Sequence, residues 1–206
     1  MKIQEYLKHH KIITDGAFGT YYAERYGTQE MPELANKNQP ERVEKIHRAY
    51  IDAGAKLIRT NTFASNTVLL SAGMEDVKAN IRAAAELAKK AASESEREIY
   101  VAGDIGPIPM DGGTDAETQY YEIARTFMEE GIDILTFETF SDMEHILPAI
   151  RRIKKDRDLF VMVQFSVNQF GYSNAGLSAG KHPLHESCPV RFQRIGLVLG
   201  MGDEII

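Results

Sequence analysis

Cysteine is almost missing from this chain: Cys188 is the only one in 206 residues, so no intramolecular disulfide can form and a reducing compartment fits. No stretch approaches the roughly 20 consecutive apolar residues of a membrane-spanning helix. The first residues, MKIQEYLKHHKII, interleave charge with apolar positions and contain no continuous apolar segment of the secretory kind. Positive charge is in deficit, with 24 Lys and Arg against 30 Asp and Glu for a net charge of -6. That balance weighs against nucleic acid or an anionic membrane as a partner. What remains is a soluble globular composition, 43% hydrophobic and 26% charged, with a cytoplasmic location as the expectation.

The chain uses one design twice. Arg48 to Phe63 reads RAYIDAGAKLIRTNTF and Arg125 to Phe140 reads RTFMEEGIDILTFETF, aligned without a gap. Each copy is the end of an amphipathic helix, a glycine (Gly54, Gly131), an apolar run, then a polar residue among threonines. Glycine closes a helix because it adopts the left-handed conformation without a Cβ clash. The runs Leu57-Ile58 and Ile134-Leu135 suit strands buried on both faces of a parallel sheet. The polar residue that differs between the copies is Asn61 in the first and Glu138 in the second. A helix-to-strand unit ending in a polar side chain is the repeat of a βα-barrel, whose active site lies at the carboxyl ends of its strands.

Taken in order, the chain is expected to open with a short helix bearing Ile3, Tyr6 and Leu7 on one face, packed under the barrel. Ile12-Ile13 starts a first strand that ends in TDGAFGT, residues 14–20. An acid followed by Gly-x-x-Gly after a strand can present backbone N–H groups to an anion; it can equally be a plain turn with Asp15 as a cap. Residues 24–40 read as a polar loop, and Pro40 suits the first position of a helix. That helix carries Val43, Ile46, His47, Tyr50 and Ile51 as its apolar stripe, which makes His47 a hydrogen-bonded core histidine rather than a ligand. A second strand runs to Thr62, and a helix follows with Val77, Ile81, Ala84, Ala88 and Ala91 on one face. Ile99–Ala102 is a third strand opening into Gly103-Asp104-Ile105-Gly106-Pro107. Thr114 or Asp115 can cap the helix carrying Tyr120, Ile123, Ala124 and Phe127. A fourth strand ends at Glu138, a helix over Asp142–Lys155 is kinked by Pro148, and Leu159–Phe165 is a fifth strand. The fold class is therefore α/β, a partial (βα)8 barrel with about five βα units. Residues 1–180 form its amino-terminal part. Past Gly180 the pattern fails, and residues 181–206 read as an atypical tail, truncated or frame-shifted.

The ordered set TDGAFGT, PERVEKIHRAYIDAGAKLIRTNTFASN, VAGDIGP and DILTFET resembles the homocysteine S-methyltransferase family over residues 10–180. Within it the chain looks more like the bacterial branch fused to methylenetetrahydrofolate reductase, or the amino-terminal module of methionine synthase. The resemblance implies methyl transfer to the thiolate of homocysteine, giving methionine. It also implies that Asp15 and Glu138 hold the substrate ammonium, that backbone N–H groups around Gly16 and Ala17 meet its carboxylate, and that Thr60, Asn61 and Thr62 line the pocket floor. From the residues alone, Asn61 and Glu138 could as well be structural.

The resemblance implies zinc as well, held in the family by one cysteine in a Gly-x-Asn-Cys setting and by an adjacent Cys-Cys pair. This chain has neither motif. His182, His185 and Cys188 have a ligand-like spacing, but Pro183 and Pro189 bracket them, and an accidental cluster is the expectation. The metal ligands are thus absent and the chain is expected to be inactive alone. Homocysteine and a methyl donor, with methyltetrahydrofolate as a candidate, are the implied partners. Two rival readings are a non-catalytic fragment acting through an open sheet edge and another barrel lyase using Glu138 as a base. No lysine ends any strand, which disfavours a Schiff-base aldolase.

Overall fold

The computed structural model describes residues 1–109 and 115–178. Gly112, Gly113, Thr114, the expected tail at 181–206 and the His182, His185 and Cys188 cluster lie outside the described residues. Helix α1 (Ile3–Leu7) precedes α2 (Phe18–Tyr26), a 3-10 turn at Pro32–Leu34, α3 (Ala35–Asn38) and α4 (Pro40–Asp52). Four strands then alternate with three helices: β1 (Leu57–Arg59), α5 (Met74–Ser93), β2 (Tyr100–Ile105), α6 (Ala116–Glu129), β3 (Ile134–Phe140), α7 (Leu147–Asp156) and β4 (Phe160–Phe165). The strands lie in the order β1-β2-β3-β4, all parallel. Successive parallel neighbours joined by single helices make the partial barrel that the repeat implies. Among the described residues, no helix is long and apolar enough to cross a membrane.

The expected first strand is abbreviated. Thr14 makes a single parallel bridge to Leu57, with Ile13 O accepting from Lys56 N at 2.8 Å and Asp15 N donating to Leu57 O at 2.9 Å. A segment only three residues long before Asp-Gly cannot extend the ladder further, yet it fixes Asp15 beside the end of β1.

Both faces of the sheet are buried. Leu57, Tyr100, Ala102, Ile134 and Met162 pack together on the inner face, closed from below by Ile3, Tyr6 and Leu7 of α1. On the outer face Leu135, Val161 and Val163 join the stripes of α5, α6 and α7, including Val77, Ile81, Tyr120, Phe127, Ile150 and Ile153. Gly54 and Gly131 both have positive φ, 110° and 76°, so each copy of the repeat ends its helix as the sequence predicts. Asp115 caps α6, its carboxylate accepting from Thr118 N at 3.0 Å.

Three expectations are corrected. The supposed loop at 24–40 contains the end of α2, the 3-10 turn and α3. Pro148 kinks nothing, because α7 starts at Leu147 and the proline occupies its first turn, where no N–H is needed. His47 is in the core and fully buried, but neither ring nitrogen has a hydrogen-bond partner. Its ring lies 5.2 Å from that of Phe18.

That arrangement keeps His47 neutral. Burial pushes its pKa down from 6.5 to about 4, against a smaller upward pull from Glu44. The unfolded chain binds this proton below pH 6.5 and the folded one only near pH 4, so the unfolded state holds more protons in between. His47 therefore favours folding above that window and loses its contribution on acidification through it, by about 3 kcal/mol at most. Denaturant unfolding across the window should show this slope, and His47→Leu should flatten it.

Candidate active site

At the carboxyl ends of the strands lies a cavity of about 410 Å³, within the size range of small-molecule sites. Asp15, Gly16, Ala17, Thr60, Asn61, Thr62 and Glu138 all line it. The seven residues singled out in the sequence thus come together around one space, and Asp15 and Glu138 stand at the same end of the sheet.

What joins them was missed. Arg59, the last residue of β1, sends its guanidinium between the two acids: Nε donates to Asp15 Oδ1 at 2.8 Å, and a terminal nitrogen pairs with Glu138. The other terminal nitrogen donates to Gly16 O at 2.8 Å, and the Arg59 backbone N–H donates to Asp15 Oδ2 at 2.8 Å. The cation expected between these acids from a ligand is supplied here by the protein. The sequence carried a signal: a charged residue inside the apolar run LIRT, on a strand buried from both sides, needs buried counter-ions.

A third acid belongs to the cluster. Asp104, in β2, is 4% exposed and lines the same cavity. Its signal was the acid in VAGDIGP, at a point where the strand is still buried. The loop that follows passes so close to β1 that a Cβ at Gly106 would overlap the Phe63 carbonyl oxygen. Burial works against the Arg59 charge, but the neighbouring carboxylates, Asp15 foremost, more than offset it and raise its pKa. Burial pushes the Asp15 carboxyl upward, against the downward pull of Arg59.

Glu138 reaches the cavity through a backbone irregularity. The pairing of β3 with β4 is in register to Phe137–Val163 and resumes at Phe140–Phe165, with a shift between them. Thr139, inside that shift, has φ 66°, a left-handed conformation unfavourable for a β-branched residue. Bulges re-aim side chains, and this one lies directly beside Glu138. The strand therefore continues to Phe140 instead of ending at the acid.

The three residues expected on the pocket floor have structural bonds of their own. Thr60 and Thr62 share a hydroxyl contact of 2.6 Å. Thr62 Oγ1 donates to Asp104 O at 2.7 Å and Asp104 N donates to Thr60 Oγ1 at 3.0 Å, fastening the end of β1 to β2. Asn61 Nδ2 donates to Pro32 O at 2.6 Å and to Asn36 Oδ1 at 2.9 Å. Asn36 and Asn80 extend this buried network to Glu33 O and Ser65. It holds the 3-10 turn over the cavity, so Asn61 shapes the wall more than it offers a free polar group.

The start of α2 also lines the cavity, through Phe18, Gly19 and Thr20. The first N–H groups of a helix have no intrahelical acceptor and sit at its positive end. Ala17 O is held by the Tyr50 hydroxyl at 3.0 Å, which sets the entry into the helix. The cavity lining thus combines an acidic wall with the amides of a helix start. For a metal the fit is poor. Among the described residues, the ionisable groups at the cavity are Arg59 and carboxylates, two of them bound by it, and none supplies a thiol or imidazole. Among the described residues, no group of three His, Cys, Asp or Glu is placed to hold a metal ion.

A parallel βα array with acids gathered at its strand ends is the layout of part of a βα-barrel. Residues 12–189 match the family described as homocysteine S-methyltransferase, and the chain belongs to that family. Methionine synthase of Mycobacterium leprae (strain TN) is 30% identical over 166 residues, covering 71% of this chain and 14% of that protein. Methionine synthase of Mycobacterium tuberculosis (strain ATCC 25618 / H37Rv) is 30% identical over 164 residues, 70% of this chain and 14% of that protein. The chain therefore spans about one-seventh of the length of these curated relatives. Among solved structures, the metallated form of the homocysteine methyltransferase MmuM from Escherichia coli superposes with a TM-score of 0.70 at 18% identity, covering 86% of this chain and 70% of that one. Its oxidized form gives 0.66 at 21% identity with the same coverage. At these identities the likeness concerns the fold.

The arginine should dominate local stability. Arg59→Met would leave Asp15 and Glu138 without their shared counter-ion, a loss of about 3–5 kcal/mol for a broken buried pair. Chemical denaturation of the variant measures it, and Arg59→Lys should rescue only part because lysine lacks the planar fork.

Proposed function

We propose that this chain carries the homocysteine-binding part of a homocysteine S-methyltransferase, an enzyme that methylates the homocysteine thiolate to give methionine. One observation carries the reading: the lining of the strand-end cavity brings together carboxylates and the first amides of a helix. An amino-acid zwitterion needs acceptors for its ammonium and donors for its carboxylate. Glu138 and Asp15, with Asp104 beside them, supply the acceptors, and the amides opening α2 supply the donors. In this reading the ammonium meets the side of Glu138 turned away from Arg59. Arg59 keeps both acids in place and Gly16 in its turn.

The activating zinc of the family would require thiolates, and a single cysteine cannot supply three. We therefore assign this chain binding of homocysteine without methyl transfer of its own. Resemblance to the reductase-fused branch points to methyltetrahydrofolate as the donor, and the lone cysteine to a cytoplasmic setting. The rival use of Glu138 as the base of a lyase is disfavoured, since its carboxylate is already paired with Arg59.

Calorimetric titration tests the reading. L-homocysteine should bind, and its deamino analogue 4-mercaptobutanoate should bind at least about tenfold more weakly, the value of a lost charge-assisted hydrogen bond. Glu138→Gln should cost homocysteine a similar factor and leave the analogue unchanged. Equal binding of the two compounds would sink the proposal.

A further inference from the structure

The cavity contains more negative charge than its one arginine can balance. Asp15, Asp104 and Glu138 come from three different strand ends, and Arg59 is the cation among them. The guanidinium's donors go to Asp15 Oδ1, Asp15 O, Gly16 O and Glu138. None of these bonds goes to Asp104, whose Oδ1 is buried with no hydrogen-bond partner. Its backbone is pinned on both sides by the Thr60 and Thr62 hydroxyls, which hold the residue beside the ion cluster, and it is 4% exposed. Across the cavity Glu33 accepts from Ala64 N at 2.9 Å and offers Asp104 no positive charge. An ionised carboxylate in that position would be buried, unpaired and close to two others. Such a group takes up a proton instead.

We propose that Asp104 holds a proton in the ligand-free cavity, donating it toward Glu138, and that this proton leaves when the ammonium group of an amino-acid ligand enters the same acidic wall. The second half rests on the reading of the cavity as an amino-acid site. The exchange balances: one ammonium charge arrives, one O–H bond of Asp104 breaks, and its proton passes to solvent. The net charge at the acidic wall is unchanged by binding, and the ligand's carboxylate is accommodated separately by the amides opening α2. Burial pushes the Asp104 carboxyl well above the usual carboxylate range, and the Glu138 and Asp15 charges add to this against the pull of Arg59. The stored proton lowers the excess negative charge of the empty acidic wall, and an entering ammonium takes over that role. It also discriminates against ligands that lack an ammonium group, since these cannot replace it.

Infrared difference spectroscopy at pH 7 reads the first half without any ligand. The wild-type protein should show a protonated carboxylic acid band that Asp104→Asn lacks. For the second half the probe is L-methionine, which carries the same zwitterion and has no thiol proton to confuse the count. Its addition should bleach the band. Calorimetry in two buffers of different ionisation enthalpy should find about one proton released per ligand, and affinity should rise about tenfold per pH unit while Asp104 is protonated. Absence of the band in the ligand-free protein overturns the proposal, as does a band that persists unchanged in the methionine complex. A protein that shows the band but binds neither methionine nor homocysteine would refute the amino-acid site and the exchange, while the stored proton itself would stand. Because the band and the proton count are read on the wild-type chain, a variant that fails to fold does not spoil the test.

Discussion

The guanidinium of Arg59 is the contact on which the functional end of this fold depends. Three acids converge on one cavity, and Arg59 is the cation that pairs with two of them, Asp15 and Glu138. Arg59 comes from the last residue of β1, and its planar fork bonds Asp15 through the side chain and Gly16 through the backbone. The same group therefore pairs with two of the acids and sets the turn that leads into α2. A lysine could supply the charge but not these several directed bonds.

Around that ion cluster, short polar side chains join the elements. The Thr60 and Thr62 hydroxyls bond the backbone of Asp104 and hold β1 to β2 beyond their ladder. The asparagines at 36, 61 and 80 bond one another and the carbonyls of the 3-10 turn, so the irregular stretch after α2 is fixed without an apolar core of its own. Buried amides placed this way satisfy backbone groups that no helix or sheet reaches. At β3 the left-handed Thr139 beside Glu138 shows local backbone energy being given up where a side chain must turn toward the cavity.

Much of this was legible residue by residue. The glycines at 54 and 131 announced helix ends because few other residues tolerate positive φ, and both adopt it. The pair Thr114 or Asp115 announced a cap, which Asp115 provides, and the apolar stripes of α4, α5 and α6 announced their buried faces. Pro148 misled because proline has two meanings in a helix, first turn or kink, and only the true start of α7 at Leu147 separates them. His47 misled in another way: its place in the stripe gave its burial but could not say whether a partner waited opposite. The first strand shrank to a bridge because alternation and apolarity describe a strand's faces and not the length of its ladder.

By itself the sequence determined the helix-to-strand repeat, the parallel sheet and the side of it on which polar residues gather, since periodicity and terminators are local properties of the chain. Seven residues around the cavity followed from that placement and from family resemblance. What only the tertiary structure decided was which charges meet. Arg59 lies 44 residues from Asp15, and no local rule says that they share a bond. Nor could spacing show that Asp104 would be left with an unpartnered oxygen while its neighbours were satisfied. Electrostatic pairing depends on distances through space and on exclusion of water, and both exist only once the strands lie side by side.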